Sequence, residues 1–416
     1  MAAPSINAYI SHVQAAVNAK NGPALRSLLQ MDSDAWMITT QASQRGTSLP
    51  QAGELLRRIG DAWGGIVASL LQALLLVHRE DYTGACKEFR ERHAKSIIDL
   101  VKTSKESWVL QPLIGMVLTL KSLSCQADGA LKRKGLPSTQ LSECAITLQA
   151  VFGSTAPTAA RGDTEMKEAT VAIACTMLKV YFRLNTINNC KHPISTIDDK
   201  LKLFDFAPAA YQTTFRYYTG RLAAYDEDFA KADAHLSFAY RLCHKDAKAN
   251  QRRILKFLVP VKMLLGILPS DALLMSHGLT EYVDIKNAMK TGDVALLLRC
   301  LAANQTKLIQ AGTFLLLEKL QLAVMRRLFR SCALVHAQTC AAGKAQQVPI
   351  SLLQSALAQQ GVHKDTQELM CLLANLIYRK YIKGYMAFKS QVVVLAKLDP
   401  FPNLASVTLS DPFALG

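Results

Sequence analysis

Apolar residues recur three and four positions apart through almost the whole chain, which is the spacing of one face of an α-helix. The first stripe is Ile6, Tyr9, Ile10, Val13 and Val17. The pattern changes only at residues 391–396, QVVVLA, which are rich in β-branched side chains and short enough for a strand. The spacing therefore predicts a mainly α protein with a small β-hairpin near residue 390.

A repeat is clearest in YYTGRLAAYDEDFAKADAHLSFAY, residues 217–240. A glycine in its first half is followed at fixed offsets by small and apolar residues in its second half: Gly220, Phe229, Ala232, Leu236 and Ala239. This is the packing skeleton of a tetratricopeptide-like helix pair. Weaker copies of the second half begin at Tyr82, Ile187 and Val294. Such pairs must stack to bury their apolar faces, so the pattern predicts an α-solenoid.

The end of the chain has a different order of elements. A short helix, SLLQSALAQQ, is followed by a turn at Gly361 and by a longer helix in which Asp365 and Glu368 can form a capping box. The β-hairpin comes next, and in it Val392 and Val394 should face one side while Val393 and Leu395 face the other. Helix, turn, helix and hairpin is the order of a winged helix, with the strands as its wing.

Polar segments rich in small residues mark the expected boundaries. We expect exposed loops at 126–139 and 153–165 and an inserted loop at 336–349. The resulting organisation is an N-terminal helical region at 1–164, a helical-repeat part at 165–315, a winged-helix part at 316–403 and a tail at 404–416.

Composition narrows the class of partner. The chain has 416 residues, of which 50% are hydrophobic and 19% charged, and its formal net charge of +16 favours polyanionic partners. Ten cysteines without a C-x-x-C pair indicate reduced thiols. The apolar runs 64–77 and 254–268 fall short of the about 20 uninterrupted residues that a bilayer requires, so we expect core helices and no membrane insertion.

Catalytic motifs are absent from the sequence. No phosphate-binding, dinucleotide-binding, zinc-protease or nucleophile-elbow pattern occurs. The adjacent pair Cys243 and His244 is more simply explained by the end of a helix, and the acidic run 226–228 by a solvated turn before the next helix. The sequence therefore predicts a protein that is not an enzyme and gives no reason to expect a metal or cofactor.

Basic residues gather in the winged-helix part. The candidate nucleic-acid-binding residues are Arg326, Arg327, Arg330, Arg379, Lys380, Lys383, Lys389 and Lys397. Only Asp365 and Glu368 carry negative charge between residues 326 and 397, and such clustering supports phosphate contacts. Aromatic interleaving is limited to Tyr378, Tyr381, Tyr385 and Phe388. The alternative is a solvated face that keeps the domain soluble.

A second basic group follows the clearest repeat. It consists of Arg241, Lys245, Lys248, Arg252 and Arg253. These residues could equally bind an acidic protein partner.

Several stretches resemble a known family. They are YYTGRLAAYDEDFAKADAHLSFAYRLCHK, RRILKFLVPVKMLLGILPS, GTFLLLEKL, LANLIY and KGYMAFKSQVVVLAKLDPFP. A helical solenoid that leads into a winged helix resembles the PCI domain, and these stretches resemble the PCI-domain-containing protein two family, the PCI subunit of the nuclear transcription-and-export complex. The resemblance covers about residues 165–403 and does not extend to the alanine-rich insert or to the tail.

This resemblance implies a non-catalytic subunit of a hetero-oligomer. Its implied partners are a large scaffold protein of the export complex, a small acidic subunit shared with the proteasome lid, and RNA or DNA. The implied location is the nucleus, including the nuclear pore, with the cytoplasm as an alternative. Signalosome-associated PCI proteins are similar, so a purely protein-interaction subunit of a signalosome or lid-like assembly is the second interpretation.

Overall fold

Two compact units, Met1–Phe215 and Arg216–Gly416, make up the chain. The structure is a computed structural model that describes residues 5–45, 49–50, 52–104, 106–160, 162–341 and 343–407. One helix, Ala209–Tyr225, contains the boundary between the units. The boundary that the sequence predicts at residues 164 and 165 does not coincide with this division.

Helices form the first unit. They are α1 (Ile6–Asn18), α2 (Gly22–Leu28), α3 (Asp34–Arg45), α4 (Ala52–Ile59), α5 (Asp61–His78), α6 (Tyr82–Glu88), α7 (Lys95–Ser104), α8 (Leu110–Arg133), α9 (Gln140–Ala159), α10 (Thr164–Leu184), α11 (Lys191–Ser195) and α12 (Ala209–Tyr225). A π-helical segment, Phe89–Ala94, joins α6 to α7. A second one, Thr196–Lys200, follows α11.

Two helical segments in the described part of the chain are long and apolar enough, by length and composition alone, to cross a membrane: Asp61–His78 and Ser107–Arg133. In the first unit, many of their apolar side chains are buried in its core, for example Leu70 of α5 and Leu113 and Leu120 of α8. Burial in a core offsets the cost of so many apolar residues on one helix. That no segment inserts into a membrane stays a prediction.

The loop expected at 126–139 is wrong for its first half. Helix α8 continues to Arg133, and only residues 134–139 separate it from α9. Asp128 explains the difference, because its two carboxylate oxygens accept hydrogen bonds from the backbone N–H groups of Gln140 and Leu141 at 2.9 and 3.0 Å. Asp128, although polar, is thus part of helix α8 and pairs with free N–H groups in the first turn of α9.

The loop expected at 153–165 is also wrong. Helix α9 extends to Ala159, and residues 160–163 alone connect it to α10. Hydroxyl groups of Ser154 and Thr155 donate to the carbonyl of Val151 at 2.8 and 3.1 Å, so these side chains are satisfied inside the helix. Thr155, Ala156 and Ala159 are buried, and a composition rich in small residues here marks close packing.

The second unit contains the clearest repeat and the winged helix. Its helices are the end of α12, α13 (Phe229–Leu242), α14 (Lys248–Leu264), α15 (Asp271–Ser276), α16 (Val283–Thr291), α17 (Val294–Ala303), α18 (Gln305–Ala311), α19 (Phe314–Glu318), α20 (Leu320–Thr339), α21 (Ile350–Gln359) and α22 (Thr366–Tyr378). Its strands are β1 (Gln347–Pro349), β2 (Gly384–Ala387) and β3 (Val392–Leu395).

The repeat at 217–240 is confirmed as a helix pair. Phe229, Ala232, Leu236 and Ala239 are all buried on one face of α13. A Cβ atom on Gly220 would lie 2.7 Å from Cγ of Leu236, so only glycine permits this approach. Asp293 caps the weaker copy at Val294. The copy at Ile187 instead begins with a 3₁₀ turn, and Pro193 removes a backbone donor from the short helix that follows.

A winged helix is confirmed in α21, α22 and the strands, and the wing is a three-stranded antiparallel sheet in the order β1-β3-β2. The loop expected at 336–349 is therefore shorter: α20 extends to Thr339 and residues 347–349 form β1. The capping box is present, since Asp365 accepts from the N–H of Glu368 at 2.7 Å and Glu368 accepts from that of Asp365 at 3.3 Å.

Alternation along β3 follows the sequence prediction. Val393 and Leu395 are buried, whereas Val392 and Val394 are half-exposed. In the register of the sheet, Val393 lies between Val348 of β1 and Met386 of β2, and this face packs on the unit's core. Tyr385 lies opposite Val394 on the outer face. The core also takes in Leu404 and Val407 from the expected tail, of which residues 408–416 lie outside the described part.

Candidate nucleic-acid interface

Arg326 is a structural residue. Only 7% of its surface is exposed, because helical spacing places it on the same face of α20 as Ala323 and Phe329. Its Nε donates to the carbonyl of Tyr381 at 3.2 Å, and its Nη2 donates to the carbonyls of Phe401, at 2.9 Å, and Pro402. A guanidinium committed to three backbone acceptors does not reach phosphate, so its place among the sequence-predicted contacts is wrong.

Arg327 is also engaged within the unit. It is half-exposed, and its Nε donates to the carbonyl of Lys290, in the last turn of α16, at 3.1 Å. A cation at this position satisfies an acceptor that the helix leaves unpaired and complements the negative end of the helix dipole.

Five other predicted residues gather at the base of the wing. We call them the wing-base cluster: Arg330, Arg379, Lys380, Lys383 and Lys397. Four are exposed and Arg379 is half-exposed.

Backbone geometry brings these five residues together. Arg330 follows Arg326 by one turn of α20, and Arg326 is bonded to Tyr381, which directly follows Lys380. Lys383 exchanges backbone hydrogen bonds with the returning chain, donating to Pro400 at 2.8 Å and accepting from Ala396 at 2.9 Å. The five cations therefore share one end of the sheet.

Four of the five cations lie between Glu368 and residue 407, and Asp399 is the one acidic residue in that stretch of the sequence. Its Oδ2 lies 3.3 Å from Nζ of Lys383, and both side chains are about half exposed to solvent. Asn375 Oδ1 accepts a hydrogen bond from Nε of Arg379 at 3.0 Å. The excess of cations over carboxylates leaves a positive field at the base of the wing.

Lys389 stands apart from the cluster. It lies in the turn 388–391 that joins β2 to β3, at the tip of the wing. Strand β2 separates it from Lys383, and the four residues of that strand span about 13 Å. Lys383 and Lys397 therefore lie at the base of the wing and Lys389 at its tip.

Helix α22, the second helix of the winged helix, has no cation along its length. Its exposed residues are Gln367, Glu368, Cys371, Ala374, Asn375 and Tyr378. In helix-turn-helix proteins this helix enters the major groove of DNA. A face without cations, with a glutamate in its first turn, is unsuited to phosphate contacts.

Aromatic side chains at the wing differ in exposure. Tyr381 is 2% exposed and belongs to the core, which removes it from the predicted aromatic interleaving. Tyr385 and Phe388 are 62% and 72% exposed, on the outer face and at the tip of the wing. The alternation of β2 could have identified Tyr385, because Met386 is its inward neighbour.

The residues considered for catalysis have structural roles. Asp228 caps α13 by accepting from the N–H of Lys231 at 3.0 Å, and Glu227 pairs with Lys319 at 2.6 Å. Cys243 is buried just after α13, whereas His244 is exposed. Within the described residues no group of three or more histidine, cysteine, aspartate or glutamate side chains could hold a metal ion.

The second basic group surrounds the connection between α13 and α14. Arg252 is half-exposed and its Nη2 donates to the carbonyl of Gly278 at 2.9 Å. Arg241, Lys245, Lys248 and Arg253 are exposed. This group offers a second surface of similar charge in the same unit.

Comparison with known proteins finds helical repeats followed by a PCI domain. Residues 140–284 match the PSMD3-like family of N-terminal TPR repeats, and residues 301–397 match the PCI domain. The chain is 31% identical to enhanced ethylene response protein 5 of Arabidopsis thaliana over 96% of its own length and 95% of that protein. It is 30% identical to PCI domain-containing protein 2 of Xenopus laevis over 98% and 100%.

A further relative is the CSN12 homolog of Mycosarcoma maydis, which is 31% identical over 73% of this chain and 72% of that protein. The full-length similarity includes the first unit, which sequence patterns matched only in helical character. The chain therefore belongs to the PCI domain-containing protein 2 family of PCI-domain scaffold proteins.

Proposed function

We propose that this protein is a non-catalytic scaffold subunit of a nuclear messenger RNA export complex, coupling transcription to export at the nuclear pore. In this proposal it binds nucleic acid through the wing-base cluster. The observation that carries the binding proposal is the concentration of five cations at the base of the wing, where Asp399 pairs with Lys383. Exposed lysine and arginine tips suit phosphates, whose recognition requires charge more than exact geometry.

The proposed partners follow the family. They are a large scaffold subunit, a small acidic subunit shared with the proteasome lid, and RNA or DNA, in a hetero-oligomer located in the nucleus and at the nuclear pore. Affinity purification of the tagged chain from nuclear extract tests this part. Recovery of export factors supports it, and recovery of signalosome or lid subunits alone contradicts it.

Charge reversal tests the binding part. The variant R330E/K380E/K397E removes three exposed cations of the wing-base cluster, and the matched variant R241E/K245E/K248E changes net charge equally in the second basic group. Affinity for single-stranded RNA is measured over a salt series. The first variant should bind more weakly, with the log–log salt slope reduced by about 0.7 for each phosphate that is no longer neutralised.

The matched variant controls for total charge. It should keep the wild-type slope, and both variants should unfold at the wild-type temperature because surface substitutions change stability little. Equal losses of affinity in the two variants would contradict a localised site.

The second candidate function is a protein-interaction subunit without direct nucleic-acid binding. Similarity to a protein named as a CSN12 homolog favours it. In that case the two variants lose RNA affinity equally, because any binding by the wild type depends on its net charge alone.

A further inference from the structure

Two aromatic rings lie unburied on the wing. Tyr385 and Phe388 are 62% and 72% exposed although the opposite face of the sheet is filled by Val393 and Leu395. Burial normally removes aromatic rings from water, and neither ring is needed to complete the core. Rings that stay exposed on a formed sheet are available to a partner.

Cations flank these rings on the same hairpin. Lys383 precedes Tyr385 by two residues and Lys389 directly follows Phe388. All four side chains are exposed. We call this series the β2 strip: Lys383, Tyr385, Phe388 and Lys389. Along the chain the strip has a cation, two aromatic rings and a second cation. A polyanion that also carries flat apolar groups could contact the cations with its charges and the rings with its flat groups.

The distance between the two rings indicates whether a single strand or a duplex of nucleic acid fits them better. Tyr385 lies in β2 and Phe388 in the turn that directly follows it, so their Cα atoms are separated by three residues of chain, about 10 Å. This exceeds the about 3.4 Å between stacked bases, so two neighbouring bases can reach both rings only when they are unstacked. In a duplex the faces of the bases are hidden by their neighbours, and the helix that would enter a groove, α22, has no cation.

We propose that the β2 strip is a stacking platform for single-stranded nucleic acid, in which Tyr385 and Phe388 each take one base while Lys383 and Lys389 contact the backbone. This inference rests on the proposed function and specifies its ligand. Stacking is tolerant of sequence because every base has an aromatic face, so the platform binds without a fixed base order.

The test uses the full chain and the double variant Y385A/F388A. Affinity is measured for a ten-nucleotide oligouridylate and for an RNA duplex of the same length, over a salt series. Single-strand affinity should fall roughly 5- to 150-fold for each ring removed. The salt slope should not change, because every cation that faces phosphate is retained. Duplex affinity should stay within about twofold of wild type.

Two further variants separate stacking from general apolar contact. The variant Y385W/F388W keeps an aromatic ring at both positions and should bind single-stranded RNA as tightly as the wild type. Leu398 is 85% exposed beside Lys397 but has no aromatic ring, so L398A should bind as wild type. An equal loss of affinity in L398A, or an equal loss for the duplex in Y385A/F388A, overturns the stacking proposal.

Failure of this inference is distinguishable from failure of the proposed function. If Y385A/F388A binds as wild type while R330E/K380E/K397E loses affinity, the platform is overturned and the phosphate site stands. If the wild-type chain binds neither oligouridylate nor duplex at low salt, both proposals are overturned.

Discussion

Helix α22 and the wing belong to the same winged helix and differ sharply in surface chemistry. The exposed face of α22 has no cation and carries a glutamate in its first turn. The wing and its base carry cations at both ends of β2 and two exposed aromatic rings between them. The winged helix thus has two exposed faces of different chemistry, and only the wing suits a polyanion.

This difference shows that the fold does not determine the binding element. A winged helix suggests a recognition helix in a DNA groove, but that interpretation is an analogy until the side chains are placed. Here the side chains favour the ribbon. The comparison predicts backbone and stacking contacts made by the wing, with little dependence on base sequence.

The largest expected effect is a loss of stability when Arg326 is replaced, because this cation is buried whereas the other cations near the wing are at least half-exposed. Replacement by methionine leaves the carbonyls of Tyr381, Phe401 and Pro402 without their donor. Each unpaired buried group costs about 1–3 kcal/mol, so R326M should lower the free energy of unfolding by at least about 2 kcal/mol. Denaturant unfolding measures this. R330M, one turn away and exposed, should change stability by less than about 0.5 kcal/mol, and similar losses of stability would refute the distinction.

The next effect tests the comparison directly. K380Q/K397Q in the wing base and Q367E/A374E on α22 each lower the net charge by two. The wing variant should weaken binding to single-stranded RNA on the order of tenfold, because two phosphates are no longer neutralised. The α22 variant should stay within about twofold. Fluorescence anisotropy at one salt concentration measures both, and a larger decrease for the α22 variant would reverse the assignment.

A smaller effect assigns α22 its role in folding. Asp365 caps this helix by accepting from the N–H of Glu368 at 2.7 Å. Replacing an N-cap by alanine costs about 1 kcal/mol, so D365A should lower the unfolding temperature while RNA affinity of the folded protein stays unchanged. Q367A, exposed in the same turn and not part of the cap, is the control. Weaker RNA binding by D365A under folding conditions would place α22 in the interface.

The smallest effect concerns Asp399, whose Oδ2 lies 3.3 Å from Nζ of Lys383 and would compete with a phosphate in the proposed site. The pair is about half exposed, and such pairs contribute about 0–1 kcal/mol. D399N should therefore leave stability nearly unchanged and raise RNA affinity about two- to threefold, with a salt slope steeper by up to about 0.7. D246N, another exposed acid of the second unit, should leave affinity as in wild type. A weaker affinity in D399N would show that the carboxylate supports the site.

Local patterns in the sequence were sufficient for features set by neighbours in the chain. The capping box of Asp365 and Glu368 and the alternation along β3 depend on spacings of one to three residues, and both are present. The repeat around Gly220 was also accessible, because close helix packing requires small residues at fixed offsets.

Features set by distant partners were not accessible in this way. Asp128 accepts hydrogen bonds from backbone amides twelve and thirteen residues away in α9. The local sequence around it, which is polar, therefore predicts a loop. The charge of Arg326 predicts a position on the surface, because the carbonyl groups that accept its hydrogen bonds lie 55 to 76 residues further along the chain and cannot be identified from the local sequence. Its position between Ala323 and Phe329 on the buried stripe was the one local indication.

The long reach of Arg326 also sets an order of events during synthesis. Its acceptors at Tyr381, Phe401 and Pro402 leave the ribosome well after α20 does. Until translation has passed Pro402, the guanidinium lacks at least one of its native acceptors. The complete positive face therefore forms only after residues 381–402 have been synthesised, and a shorter nascent chain does not present the assembled wing base.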